Sequence, residues 1–255
     1  MYIDTHCHLG LMEGLPDELT ARARAAGVST LINVGVDLAS SAECLQTAAG
    51  NPGVWAVVGI HPNNAIEATE YVLPMIVALA AHPKVVGIGE TGLDWFRDHC
   101  PPVQQEESFR EHIRIAKDVD KALVIHARDA HEDVLRVLED ERAPERTVFH
   151  CFTGDRGLVE ICAAHGWYMS FAGNLTFKNA SRLREAAARA PLDLVVVETD
   201  SPYMSPHPYR GRPNEPGRVA LTVAQLAQLH DLEADHMAKI TSLNARRLFA
   251  LPSER

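Results

Sequence analysis

The sequence predicts a single (β/α)8 barrel, and three observations predict it. Apolar runs of strand length alternate with segments of helical period from one end to the other, eight times in 255 residues. The runs are continuous in Val, Ile and Leu, as in Leu194-Val195-Val196-Val197. That is the pattern of parallel strands buried on both faces. Finally, five of the thirteen histidines lie at the C-terminal ends of such runs. His6 and His8 end the first, and His61, His126 and His150 end Val57–Ile60, Leu123–Ile125 and Thr147–Phe149. Glu90 ends Val85–Gly89, and Glu198-Thr199-Asp200 follows Leu194–Val197.

The elements are expected in this order. Strand 1 covers about residues 2–9, and a helix over 16–26 stops at Gly27. Strand 2 covers 30–36, and Asp37-Leu38-Ala39-Ser40 opens a helix ending near Gly50. Strand 3 covers 54–60, with a helix over 69–81 ended by His82-Pro83. Strand 4 covers 85–89. A long loop then carries Trp95, Phe96 and Pro101-Pro102 before a helix over 103–119. Strands over 123–126, 147–150, 168–171 and 194–197 follow. Helices are expected over 130–138, 157–164 and 181–189, and a Pro-rich loop from Ser201 to Pro216 leads into helical sequence through Leu251. No linker or break in composition divides the chain, so one domain spanning 1–255 is expected. An open doubly wound sheet is the competing architecture. It needs fewer strands and gives no reason for side chains on strands 1, 4, 5, 6 and 8 to converge.

Composition narrows the class. The net charge is -10, from 34 acidic and 24 basic residues. Such a surface disfavours nonspecific binding to long duplex nucleic acid, which requires many Lys and Arg. The five cysteines form no C-x-x-C pair, and no signal-peptide pattern opens the sequence. Reduced thiols and a cytoplasmic location are the corresponding expectation. No apolar run approaches the roughly 20 residues of a membrane span. A monomer without an obligate protein partner is expected.

The strand-end residues read as metal ligands. Residues two apart on a strand share a face, so His6 and His8 can bind one ion together. His126 and His150 singly read as readily as hydrogen-bonded structural histidines, and Glu90 or Asp200 singly as helix caps. Six metal-competent groups on five strands, at equivalent positions, form a joint pattern that capping does not produce. The histidines at 112, 230, 236, 82, 99, 131, 165 and 207 lack that placement and are read as solvated. Some binuclear barrel hydrolases bridge their metals with a carbamylated lysine at the end of strand 4. None of the five lysines closes a strand, and Glu90 takes that place.

Six stretches resemble the TatD family of metal-dependent deoxyribonucleases. They are Ile3-Asp4-Thr5-His6-Cys7-His8-Leu9, Gly59-Ile60-His61-Pro62, Ile88-Gly89-Glu90-Thr91-Gly92-Leu93-Asp94, Ile125-His126-Ala127-Arg128-Asp129-Ala130, Phe149-His150-Cys151-Phe152-Thr153-Gly154 and Glu198-Thr199-Asp200-Ser201-Pro202-Tyr203. Arg210-Gly211-Arg212-Pro213-Asn214-Glu215-Pro216 also looks like the family, although Tyr209 and Pro213 stand where a His and a basic residue are usual. The resemblance implies a (β/α)8 barrel with two divalent metals. His6, His8, Glu90 and Asp200 would hold one ion, and Glu90, His126 and His150 the second, with Glu90 bridging. It implies 3′ to 5′ exonuclease action on single-stranded or nicked DNA ends, with DNA ends or a small phosphoester as partner.

On that reading two ions activate a water and stabilise the leaving oxygen. Asp200, besides ligating, orders that water and accepts its proton. Other roles stay open. His61 either donates to a phosphate oxygen or packs on Pro62 and bonds a loop carbonyl. Arg128 and Arg210 either clamp a phosphate or pair with Asp129 and Glu215. Trp95, Phe96 and Tyr203 either stack on a base or wall the loops. The alternative chemistry is an amidohydrolase or an aminoacyl-tRNA deacylase with the same site. Ligand softness favours Zn²⁺, Mn²⁺ or Co²⁺, whereas nucleases of this type often work with Mg²⁺.

Overall fold

A computed structural model describes residues 1–97 and 99–252. Residues 98 and 253–255 of the expected 1–255 domain lie outside the described ones. Strands and helices alternate: β1 (Tyr2–Cys7), α1 (Pro16–Ala25), β2 (Val28–Val34), α2 (Leu38–Gly50), β3 (Val54–Val58), α3 (Leu73–Ala80), β4 (Val85–Asp94) and α4 (Pro102–Asp118). Then come β5 (Ala122–Arg128), α5 (His131–Asp140), β6 (Thr147–Phe149), α6 (Arg156–His165), β7 (Tyr168–Phe171), α7 (Ser181–Ala187), β8 (Val195–Val197), α8 (Val219–Leu229) and α9 (Ala234–Leu248). The eight strands belong to one sheet in the order β1 to β8. Its sequential order with helical crossovers is that of a (β/α)8 barrel. None of the described helices is long and apolar enough to cross a membrane.

Local chemistry explains the helix ends. α1 opens on Pro16, with Asp17 and Glu18 in its first turn and Arg22 and Arg24 in its last, as the helix dipole favours. Asp37 caps α2 by accepting the Ser40 N–H at 2.7 Å. Asp155 does the same for α6, which ends on Gly166 in the left-handed region.

The chain divides into two compact units, residues 1–33 with 150–255, and residues 34–149. In the first, β1 pairs with β2 and β7 with β8, both in parallel. The segment after β8 runs beside β1, with Cys7 bridged to Ser201 and the Asp200 N–H donating to the His6 carbonyl at 2.9 Å. Ile3, Ile32, Val196, Met169 and Phe171 are buried there.

In the second unit β3, β4, β5 and β6 pair in parallel. All ten residues of β4 are buried. This strand departs from expectation, running to Asp94 and not stopping at Gly89. The residues after Gly89 are expected to open a long loop, but β5 captures them, pairing Thr91–Asp94 with Ile125–Arg128. Glycine makes that approach possible. A Cβ at Gly92, whose φ is +137°, would stand 2.1 Å from the His126 carbonyl oxygen. The extension carries Glu90 and Asp94 on one face of one strand.

Candidate metal centre

In the first unit, β1 delivers His6 and the residue after its end delivers His8. Their Nε2 atoms lie 3.2 Å apart. The loop after β8 delivers Asp200, whose Oδ1 is 3.5 Å from His8 Nε2. All three side chains are buried. Four tetrahedral donors around an ion at about 2.0–2.1 Å stand about 3.3–3.4 Å from one another. The His6–His8 and His8–Asp200 distances are close to that spacing, and the three residues together could hold a metal ion. Asp200 sits at φ 52°. Aspartate tolerates that left-handed conformation better than most side chains.

His150 follows β6 and stacks on His6, with ring centroids 4.0 Å apart. Its Nδ1 is 3.3 Å from Glu198 Oε1. Asp4, fully buried on β1, accepts the Thr199 N–H at 2.8 Å and the Thr199 hydroxyl at 2.6 Å. It thereby ties β1 to the backbone that carries Asp200. Burial pushes the Asp4 carboxyl up to about 8, against the opposing hydrogen bonds from Thr199 and His6.

In the second unit Glu90 Oε1 is 2.9 Å from His126 Nδ1, and Asp94 Oδ2 is 3.1 Å from His126 Nε2. A neutral imidazole has one N–H and so can donate to only one of two carboxylates. A doubly protonated ring would donate to both carboxylates, and a neutral ring would leave Nε2–H for Asp94 with a cation between Nδ1 and Glu90. The donor set fits a metal, and Asp94 would then orient His126 as a ligand. Burial alone would raise the Asp94 carboxyl. The His126 contact and the Arg97 and Phe96 N–H groups outweigh burial and hold it below the ordinary carboxylate range.

His61, Glu90 and His126 also stand close enough to share an ion. Tautomer chemistry assigns His61 another part. The Asn63 N–H donates to His61 Nδ1 at 3.0 Å. A neutral ring accepting there carries its proton on Nε2. His61 Nε2, 3.5 Å from Glu90 Oε1, is thus a donor and not a ligand atom.

The family model for TatD-related DNases matches residues 3–250. The chain belongs to the TatD-related DNase family. YabD of Bacillus subtilis, an uncharacterized metal-dependent hydrolase, is 39% identical over 254 residues, covering 98% of this chain and 100% of the relative. The 3′-5′ ssDNA/RNA exonuclease TatD of Escherichia fergusonii is 34% identical over 242 residues, covering 92% of this chain and 93% of the relative. Among solved structures, YJJV, a TatD homologue from Escherichia coli K12, superposes with a TM-score of 0.92 at 30% identity, over 98% of each chain. That likeness carries the (β/α)8 fold, and membership of the TatD family makes the chain a metal-dependent hydrolase.

The remaining residues named from the sequence fall as follows. Arg128 lies over the exposed Phe96 ring at 3.7 Å, and Arg210 over Phe177 at 3.7 Å. Glu215 has Arg22, not Arg210, as its ion-pair partner. Tyr203 is 54% exposed and edge-on to His8. Trp95 donates its indole N–H to Asp133. Asp4, Asp94 and Glu198 were given no role from the sequence, although Asp94 has a period-2 signal, four residues beyond Glu90.

Two histidines read as solvated are not. His230 is half-buried and bonded to the Ala187 carbonyl. His112 is fully buried, donating from Nδ1 to the Ser108 carbonyl and accepting the Ile60 N–H at Nε2. Burial pushes its pKa down to about 4, against the opposing Ser108 bond. The unfolded chain therefore binds this proton more tightly. Stability is full above about pH 6.5 and is lost as pH falls toward 4, by about 3 kcal/mol in the limit. Unfolding midpoints from pH 7 to 4.5 are expected to fall more steeply for the wild type than for His112→Gln. Parallel curves would contradict this assignment.

Proposed function

We propose that the chain is a divalent-metal-dependent phosphodiesterase that removes nucleotides from the 3′ end of single-stranded or nicked DNA. The observation that carries this reading is that each unit holds its own donor group, His6–His8–Asp200 in one and, in the other, Glu90–His126, whose histidine has carboxylates on both nitrogens. The relative named as a 3′-5′ ssDNA/RNA exonuclease supports the substrate class. His6, His8, Glu90 and Asp200 would hold one ion and Glu90, His126 and His150 the other. Zn²⁺, Mn²⁺ and Mg²⁺ are the ions to test. Bound there, the ions supply Lewis acidity at the phosphoryl oxygens and lower the pKa of water.

The chain's own groups do the rest. Asp200 accepts the proton of the attacking water on a carboxylate oxygen. His61 donates Nε2–H to a non-bridging phosphate oxygen. Arg128 and Arg210, each already held against an aromatic ring, present planar guanidinium groups to phosphate. Tyr203 offers a face for the terminal base. With a net charge of -10, contact is restricted to a few phosphates at a chain end.

The test is a panel run on chelator-treated protein resupplied with each ion. The substrates are 5′-labelled single-stranded and duplex oligonucleotides, bis-p-nitrophenyl phosphate, amides and aminoacyl esters. A ladder shortening from the 3′ end, fastest on single strands and abolished by chelator, is expected. Turnover of an amide or aminoacyl ester, with every phosphodiester left intact, would overturn the proposal.

A further inference from the structure

We infer that Glu198 is a positioning residue, fixing the tautomer of His150 so that its Nε2 lone pair faces the metal. The inference rests on the two-ion reading. The Glu198 N–H donates to the Phe171 carbonyl at 3.0 Å, which holds its backbone against β7. Its side chain has no exposure to solvent. Oε1 accepts the Cys151 N–H at 2.8 Å and faces His150 Nδ1 at 3.3 Å, while Oε2 accepts the Ser170 hydroxyl at 2.5 Å.

An ionised carboxylate only accepts hydrogen bonds, and three donors converge on this one. The Glu198–His150 contact therefore requires the His150 proton on Nδ1. A neutral ring protonated there has its lone pair on Nε2 and is made more basic by the carboxylate behind it. The His6 ring against the face of His150, 16° from parallel, fixes the plane while Glu198 fixes the rotation. Ser170, Glu198 and His150 in a row do not make a nucleophilic triad. Ser170 is buried and gives its proton to the acid and not to the imidazole.

Glu198→Gln isolates the charge. The amide oxygen can still accept from Cys151 and His150, and its NH₂ can face the Ser170 oxygen. Zn²⁺ is titrated into chelator-stripped wild type and variant against a competing chelator, and the melting temperature of each metal-free protein is recorded. Zn²⁺ binding by the variant is expected to be weaker by about 10–100-fold, with metal-free melting near that of the wild type. Zn²⁺ affinity within twofold of wild type would overturn the inference while leaving the two-ion reading intact. A wild type that binds no divalent ion would overturn both. Should the variant fail to fold, ¹⁵N-histidine spectra of the wild type decide. A proton on His150 Nδ1 supports the inference, and one on Nε2 overturns it.

Discussion

Asp200→Asn is expected to fold and melt like the wild type while hydrolysing phosphodiesters about 10²–10⁴-fold more slowly. The substitution is unusually clean at this position. Asp200 occupies the left-handed region at φ 52°, where asparagine is at home, so the backbone is not strained. The backbone bonds that seat the residue, to the His6 carbonyl and from the Tyr203 N–H, do not involve the side chain. The amide oxygen can still face His8 and ligate. What disappears is the capacity to take a proton from water. Full activity with normal metal content would remove Asp200 from the mechanism.

Glu90→Ala is expected to lower turnover more than His61→Ala, by about a further tenfold or more at saturating metal. On the proposed two-ion site, loss of a bridging carboxylate would affect both ions, whereas loss of the His61 N–H would affect one hydrogen bond to one phosphate oxygen. His61 accepts from Asn63 at Nδ1 and so has no lone pair on Nε2 for a metal. Metal content should therefore be normal in His61→Ala and reduced in Glu90→Ala. If His61→Ala is the slower enzyme and also loses metal, His61 is a ligand and its proton is placed wrongly.

The strand-end logic made most of the candidate ligands legible in the sequence. His6, His8, Glu90, His126 and Asp200 stood out because an apolar run of parallel-strand type has no reason to be broken by an ionisable side chain unless that position is used, although β4 and β5 continue past Glu90 and His126 to Asp94 and Arg128. The helices were legible where caps and breakers act locally, as at Asp37 and Gly166. The misses at β4, Asp94 and Glu198 have a common cause, since each depends on a partner distant in sequence. β4 continues through two glycines only because β5 can approach them closely, which no local turn signal reveals. Asp94 and Glu198 act through His126 and His150, and their significance appears only when the imidazole nitrogens are accounted for one by one. His112 had an unused local signal. It falls on the helix face shared by Gln105, Ser108, Phe109 and Ala116, all of which are buried in α4. A histidine on that stripe belongs to the interior.

Metal content per chain, with and without Glu90, measures whether this carboxylate bridges two ions. Wild type and Glu90→Ala are dialysed against a divalent ion after chelator treatment, and bound metal is counted by elemental analysis. The account predicts two ions per wild-type chain and at most one per Glu90→Ala chain. No bound ion in the wild type, or two in the variant, would contradict it.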